Sequence, residues 1–169
     1  MHLIETNRLF LRELTANDAG FILELLNEPS FIKNIADKNV RTLDDAVRYI
    51  ETGPGASYRQ HGYGLYLVGL RESNTPIGIC GLVKRDYLEH ADIGYAFLER
   101  YWSQGYAYES AAAVRDWARG TVGLNQLLGI TSPDNNASIR LLEKLGLCFV
   151  KMIRTPGSTE DTRLFSLSF

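Results

Sequence analysis

The chain has 169 residues, of which 45% are hydrophobic, and a formal net charge of −2 at pH 7. This length predicts a single domain, residues 1–169, with a full hydrophobic core. The absence of a basic excess argues against nucleic acid as a partner, and no apolar run approaches the length of a membrane span. Residues 1–14 carry charges throughout, so we expect no signal peptide, no membrane partner and a cytoplasmic location.

The N-terminal part is predicted to form one strand and two helices. Residues 3–14 alternate as the first strand, and Thr15 begins an N-cap before a helical stripe that stops at Pro29. A second helix is predicted to begin at Thr42, because Asp45 lies three residues further on. Residues 53–57 are rich in glycine and are expected to form a loop.

Strand patterns dominate the middle of the chain. Residues 63–70 and 76–84 are predicted to form an antiparallel pair, and residues 92–98 alternate as a further strand. A helix is then predicted to run to about Arg119, because four apolar residues share one of its faces: Ala107, Ala111, Val114 and Ala118.

The C-terminal part adds three strands and a helix. Residues 126–131 suit a buried strand parallel to its neighbour, and residues 147–154 and 161–168 resemble a hairpin. Between them, a helix is predicted to begin at Asn135 and to end at Gly146. The whole pattern predicts the α/β class, as a mixed sheet of about seven strands with four helices.

The turn at Gln104–Ala107 leads directly from a strand into a helix. Unpaired backbone N–H groups and the positive end of the helix dipole meet at such a turn, and phosphates bind there readily. A helix start with a helpful glycine is the alternative interpretation. The turn has neither a Gly-Lys-Ser/Thr triplet nor a G-x-G-x-x-G pattern, which disfavours Walker-type and dinucleotide sites.

Three stretches, taken in chain order, resemble the GNAT-superfamily N-acetyltransferases, in the branch similar to ribosomal-protein N-terminal alanine and serine acetyltransferases. They are residues 5–12, residues 91–110 and residues 135–147, the last similar to the family's Asn-x-x-Ser/Ala helix. The family's loop is usually Arg/Gln-x-x-Gly-x-Gly/Ala, and here Gly105 and Ala107 match whereas Trp102 replaces the first residue. The resemblance implies a GNAT-like acyl-CoA N-acyltransferase fold with splayed central strands.

The resemblance also implies acetyl-CoA as the acyl-donor cosubstrate. Where the central strands part, backbone groups would hold the pantetheine arm, and those residues are Tyr95, Ala96, Phe97 and Leu98. The turn and the first helical residues would hold the pyrophosphate, and those residues are Gln104, Gly105, Tyr106, Ala107 and Tyr108. Further contacts to the donor would come from Asn135 and Ser138.

Aminolysis of a thioester requires proton transfer at two points. A primary amine is largely protonated at neutral pH, so a carboxylate must remove its proton, directly or through water. Asp92 is the predicted base, with Glu89 just before it; a solvated strand residue is the alternative for Asp92. The thiolate that leaves the thioester is stabilised when a nearby hydroxyl gives it a proton.

The resemblance places a tyrosine acid where this chain has Leu142, which moves the acid role to Ser138. The alternative is that Ser138 only packs or caps near the start of its helix. Tyr106 and Tyr108 are further candidates for the acid.

The sequence thus predicts an acetyl-CoA-dependent N-acetyltransferase acting by direct attack in a ternary complex. The acceptor is a primary amine, either a protein N-terminal α-amine or a small-molecule amine, and the protein is a monomer or a homodimer. The two N-terminal helices would shape the acceptor pocket, with Phe31, Lys33 and Tyr49 as candidates. A noncatalytic acyl-CoA sensor or interaction module is the main alternative, and a protein that prefers ATP or NAD is a third.

The cysteines and histidines give no sign of a metal. Cys80 and Cys148 lie in apolar runs and are predicted to be small buried thiols. The three histidines have no metal-ligand spacing with one another or with the cysteines, so no metal is expected. They are His2, His61 and His90.

Overall fold

The computed structural model describes residues 3–169 and contains one mixed sheet of eight strands in the order β1-β2-β3-β4-β5-β6-β8-β7. The strands are Ile4–Glu5 (β1), Leu9–Arg12 (β2), Leu65–Leu70 (β3), Pro76–Val83 (β4), Asp92–Phe97 (β5), Gln126–Thr131 (β6), Cys148–Arg154 (β7) and Asp161–Ser168 (β8). The α-helices are Ala19–Leu26 (α1), Pro29–Asn34 (α2), Leu43–Thr52 (α3), Pro54–His61 (α4), Tyr106–Trp117 (α5) and Asn136–Lys144 (α6). The predicted mixed α/β sheet is confirmed, although the expected numbers of strands and helices were too low.

Local signals explain where the N-terminal helices begin. Thr42 caps α3, because its side chain accepts from the backbone of Asp45 while the Asp45 carboxylate accepts from the backbone of Thr42. Thr15 makes the same reciprocal arrangement with Asp18 before α1. Both predicted helix starts are therefore confirmed.

Two predictions about the N-terminal half were wrong. Residues 3–14 form two strands, because Thr6 folds the chain back by bonding to Leu9 through both backbone and side chain. Residues 53–57 belong largely to a helix, α4, which begins at Pro54 and is followed by Gly62 at φ +77°. Proline suits the first position of a helix because its fixed φ is helical and its missing N–H would have no partner there.

The sheet separates two main clusters of buried side chains. Helices α5 and α6 cover one face, where Ala111, Val114 and Leu142 pack on the central strands. Helices α1, α2 and α3 cover the opposite face of the N-terminal half, with Ile22 and Ile50 among its fully buried residues. Within residues 3–169, no helix is long and apolar enough to cross a bilayer.

β5 and β6 part soon after they meet. The two strands are parallel, as predicted, but their ladder consists of one pair, Asp92 with Leu128, next to a bond from the Leu128 N–H to the Ala91 carbonyl at 3.0 Å. On its other edge β5 remains paired with β4 along its whole length, and β6 remains paired with β8. A wedge-shaped gap therefore opens beside the second half of β5.

Two apparently similar cysteines differ in their surroundings. Cys80 is buried in β4, and burial raises the pKa of its thiol to about 12, against a hydrogen bond with Ser110. Cys148 is exposed, so its predicted burial was wrong. It opens β7, which lies at the edge of the sheet and pairs with β8 only.

Candidate functional site

The gap between β5 and β6 offers backbone groups to an extended ligand. Within residues 3–169, Tyr95, Ala96 and Phe97 have ladder partners on β4 and none on β6. Polar backbone groups at the edge of a strand remain available for pairing with another chain or ligand. The structure thus gives part of the predicted pantetheine-binding segment a free edge, and the role stays a prediction. Leu98, the last residue of that segment, is buried, and its N–H donates to Ile77 while its carbonyl accepts from Tyr101.

A tight turn connects this edge to helix α5. Ser103 and Gly105 both adopt left-handed conformations, at φ +61° and +85°, and Gly105 is the N-cap residue of α5. Among the described residues, no side chain caps this helix. The backbone N–H groups of the first helical residues, Tyr106, Ala107 and Tyr108, therefore face outward without an intrahelical acceptor, which is the arrangement that suits a phosphate.

Trp102 has a local role at this turn. Its indole N–H donates to the carbonyl oxygen of Phe97 at 2.8 Å, so the side chain joins the end of β5 to the turn before α5. Its position is the one where the resembling family usually has arginine or glutamine. Trp102 has no charge, so a cation at this turn must come from elsewhere in the chain.

Arg8 brings such a cation from the hairpin between β1 and β2. Its Nη1 donates to the carbonyl oxygen of Gln104 at 3.0 Å, and its Nε donates to Oε2 of Glu109 at 2.7 Å. The guanidinium also lies over the ring of Tyr106, 4.4 Å from its centroid. Arg8 therefore contacts the turn, the first turn of α5 and one predicted donor-binding side chain at once.

Glu109 completes this clamp. Its Oε1 accepts from Thr6 Oγ1 at 2.6 Å and from the backbone N–H of Arg8 at 3.0 Å. Partial burial of the carboxyl opposes its ionisation, yet the bonds from Thr6 and Arg8 hold the pKa of Glu109 below its ordinary value. We call Thr6, Arg8 and Glu109 the hairpin clamp. Sequence analysis missed it, because its partners lie 101 residues apart or more.

A second cation lies on the other side of the turn. The ammonium group of Lys144, in the last turn of α6, lies 4.0 Å from the centroid of the Tyr108 ring. Tyr106 and Tyr108 are thus each covered by a cation from a different part of the chain. Arg8 is already paired with Glu109, whereas the charge of Lys144 favours a negatively charged ligand at the start of α5.

The start of α6 faces the same gap. Asn135 caps this helix, because its Oδ1 accepts from the backbone N–H of Ser138 at 3.2 Å. The hydroxyl of Ser138 lies 2.7 Å from the hydroxyl of Tyr95 on β5. Burial raises the pKa of Tyr95 to about 12, against the opposing effect of its bond with Ser138, so its phenol is neutral at physiological pH. The structure therefore brings three predicted site residues together.

Leu142 is part of the core. Its side chain is 1% exposed and packs on Gly129 of β6, where a Cβ atom on the glycine would lie 2.7 Å from Leu142 Cδ2. This position supplies no hydroxyl to the gap. The candidates for the acid are therefore hydroxyls at other positions, such as Ser138 in the first turn of the same helix.

Asp92 lies where β5 and β6 still pair, on the face of β5 opposite to Tyr95. It is 1% exposed, and its carboxylate accepts from Nε of Arg85 at 2.8 Å. Burial raises the pKa of Asp92, against the opposing effect of Arg85. The alternative that Asp92 is a solvated strand residue was wrong. Glu89, the neighbouring candidate, is exposed in the loop before β5.

The candidate acceptor residues are dispersed. Phe31 is buried in the core beneath α1, α2 and α3, and Lys33 is exposed. Tyr49 lines a cavity of about 230 Å³ between α3 and the segment before it, together with Lys38 and Arg48. Among residues 3–169, no group of three or more histidine, cysteine or acidic side chains could hold a metal ion; His2 lies outside the described residues.

Comparisons with known proteins agree on one family. A family model described as "Acetyltransferase (GNAT) domain" matches residues 8–147. A Bacillus subtilis protein named "Uncharacterized N-acetyltransferase YoaA" is 26% identical over 98% of this chain and 96% of its own length. An acetyltransferase from Agrobacterium tumefaciens superposes with a TM-score of 0.83 at 24% identity, covering 98% of this chain and 94% of its own. The RimL ribosomal-protein acetyltransferase, in complex with coenzyme A, superposes with a TM-score of 0.85 at 15% identity, covering 100% and 98%.

Proposed function

The chain belongs to the GNAT acetyltransferase family, and from this premise we propose that it transfers the acetyl group of acetyl-CoA to a primary amine by direct attack in a ternary complex. The observation that carries the proposal is that the gap beside β5 is followed in the chain by the uncapped start of α5. The proposed acceptor is a protein N-terminal α-amine or a small-molecule amine. The whole of residues 1–169 is proposed as one acetyltransferase domain.

The donor fits this arrangement by its own chemistry. Pantetheine contains two amide groups in an extended arm, which can pair with the free edge of β5 before the Phe97 carbonyl, which accepts from Trp102. A diphosphate can accept from the outward N–H groups of Tyr106, Ala107 and Tyr108, where Gly105 lets the backbone approach. That the RimL structure contains coenzyme A supports the same ligand class for this chain.

The acyl-transfer step is assigned to groups near the gap. Asp92 is the proposed proton acceptor, and its raised pKa makes the carboxylate a stronger base than an ordinary aspartate. Because Asp92 is nearly inaccessible, the amine's proton would reach it through water. Ser138, with its hydroxyl at the start of α6, is the proposed donor of a proton to the departing thiolate.

The experiment begins with calorimetric titration of acetyl-CoA into the purified protein, with ATP and NAD as control ligands. Selective micromolar binding of acetyl-CoA is expected. A panel of peptides with free N-termini and of small amines is then tested for release of free CoA. Release that depends on an amine supports the enzyme; binding without release on any amine would favour the sensor alternative. Preference for ATP or NAD would refute the proposed donor site.

Two further properties are proposed with this function. The protein is expected to be a monomer or a homodimer, which sedimentation velocity measures directly. The cytoplasm is the proposed location, and fractionation of cells that produce the protein tests it. The acceptor identified by the amine panel also decides which surface of α1, α2 and α3 should be examined by mutation.

A further inference from the structure

The hydroxyl groups of Tyr95 and Ser138 link strand β5 to helix α6, which is not part of the sheet. Tyr95 lies in β5 at the free edge of the gap, and Ser138 lies in the first turn of α6. Their oxygens are 2.7 Å apart, a normal distance between two hydrogen-bonded hydroxyls. The bond therefore connects the free edge of β5 to the first turn of α6.

The surrounding bonds favour one direction for this hydrogen bond. The backbone N–H of Ser138 is already used by Asn135, which fixes the first turn of α6 and with it the position of Oγ. Either hydroxyl can be the donor in this pair, and the greater acidity of a phenol favours Tyr95 as the donor and Ser138 Oγ as the acceptor. The hydroxyl proton of Ser138 is then free to point into the gap.

The burial of Leu142 makes this arrangement significant. In the resembling family a tyrosine on α6 commonly supplies a phenolic hydroxyl, and here that position is occupied by a core residue packed on Gly129. Tyr95 carries a phenolic hydroxyl to the same helix from a different element, the strand β5.

We propose that the side chain of Tyr95 is a positioning residue for Ser138, orienting its hydroxyl toward the thioester sulfur and replenishing the proton that Ser138 gives up. This inference rests on the proposed function. When the C–S bond breaks, its electron pair stays on sulfur, which takes the Ser138 proton; Ser138 Oγ takes the phenolic proton. The amine gives its proton through water to Asp92, and Asp92 passes a proton back through water to the Tyr95 oxygen, so the step ends with a free thiol, an amide, both hydroxyls restored and Asp92 as a carboxylate again.

The test is a double-mutant cycle of Tyr95→Phe and Ser138→Ala, measured as kcat and as the Kd of acetyl-CoA. Each single variant removes one oxygen and keeps the backbone that faces the donor. Ser138→Ala should lower kcat about a hundredfold, the lower end of the usual range for a general acid, and Tyr95→Phe, which acts through it, about tenfold. Because Tyr95 acts through Ser138, the double variant should be no slower than Ser138→Ala alone, and the Kd should stay within about twofold throughout.

Tyr66→Phe is the matched control. Tyr66 is a buried tyrosine of β3, packed on Tyr58 and Trp117, and burial likewise raises its pKa to about 12. Tyr66→Phe also removes one phenolic oxygen, but it should leave kcat within about twofold of the wild-type value. A change of that size is much smaller than the effect of removing a group that takes part in proton transfer.

Two results would overturn the inference while the wild type remains active: an unchanged kcat in Tyr95→Phe, or losses that multiply in the double variant. Multiplying losses would mean that the phenol acts independently of Ser138, as a merely structural residue would. A wild type that binds acetyl-CoA and acetylates no amine would remove the proposed function, and the inference with it.

Discussion

Replacing Arg8 by methionine tests how the hairpin clamp supports the turn before α5. The variant keeps an aliphatic side chain and loses the hydrogen bonds to the Gln104 carbonyl and to Glu109 Oε2, together with the contact of Nη2 with Oε2 at 2.7 Å and the cation over the Tyr106 ring. Two other bonds to the Glu109 carboxylate survive, those from Thr6 Oγ1 and from the backbone N–H of residue 8. The substitution therefore leaves a held carboxylate in the first turn of α5 without its counter-charge.

The expected loss of stability depends on how far Arg8 and Glu109 are exposed to solvent. A charged hydrogen bond contributes about 1.5–3 kcal/mol when shielded, and an exposed ion pair at most about 1 kcal/mol. The side chains of Arg8 and Glu109 are 42% and 19% exposed, so we expect Arg8→Met to lower the free energy of unfolding by about 1–2 kcal/mol. The diphosphate would meet a looser turn and an unpaired carboxylate, and the Kd of acetyl-CoA should rise about tenfold, or ~1.4 kcal/mol.

The assay compares two ligands by calorimetry. Acetyl-CoA contains the diphosphate, whereas S-acetylpantetheine has the same thioester arm without any phosphate. Arg8→Met should weaken acetyl-CoA and leave S-acetylpantetheine unchanged. Adding Glu109→Gln to Arg8→Met should recover part of the lost affinity, because the unpaired charge is then absent.

Arg71→Met is the matched control for this experiment. Arg71 has similar exposure, at 47%, and donates to the carbonyl of Thr6 in the same hairpin at 2.8 Å, but it contacts neither Gln104 nor Glu109 in the structure. It should leave both affinities unchanged. Equal weakening of the two ligands by Arg8→Met, or no weakening of acetyl-CoA, would refute the proposed role of the clamp.

Three further predictions concern other parts of the site and the core. Gly105→Val places a branched side chain at φ +85°, with its Cβ 3.3 Å from Arg8 Nη2, and should raise the Kd of acetyl-CoA at least tenfold, about 1.4 kcal/mol; unchanged affinity in a folded variant would remove this turn from the site. Because burial raises the pKa of Asp92 and a base must be deprotonated, wild-type kcat/KM should increase as pH rises through that pKa, and Asp92→Asn should abolish this acid limb of the pH–rate profile; an unchanged limb would assign the base elsewhere. Iodoacetamide at pH 8 should add one group to the native protein, at Cys148, and two after unfolding, because burial raises the pKa of Cys80 to about 12; mass spectrometry that finds both thiols modified in the native state would contradict the burial.

The elements that could be predicted from the sequence are those fixed by local chemistry. The Thr42–Asp45 capping box, the strand at residues 126–131 and the helix after Asn135 each follow from neighbouring residues. Helix α4 could not be recognised in the same way, because its glycines and proline have the composition of a loop. Cys148 was misjudged because an apolar run does not reveal that its strand lies at the edge of the sheet.

The site, like the fold, has features that could be predicted from the sequence and features that could not. The turn at Gly105 and the position of Ser138 were visible as motifs, since a few consecutive residues define them. The clamp on Glu109 and the bond between Tyr95 and Ser138 depend on contacts across 101 and 43 residues, which only the fold creates. The ion pair of Asp92 with Arg85 could not be predicted either, although the two residues are close in sequence. Its carboxylate is buried by the surrounding sheet, which only the fold creates.

The early parting of β5 and β6 has a consequence for the whole molecule. The two halves of the sheet share a single ladder pair, supplemented by side-chain bonds such as those from Tyr95 to Ser138 and from Arg115 to the Leu145 carbonyl. A donor that pairs with the free edge of β5 while its diphosphate is held at α5 would act as a missing strand and bind the native state alone. At a concentration one hundred times its Kd, such a ligand adds about 2.7 kcal/mol to the free energy of unfolding. Binding of the proposed donor would then stabilise the fold as well as supply the acetyl group.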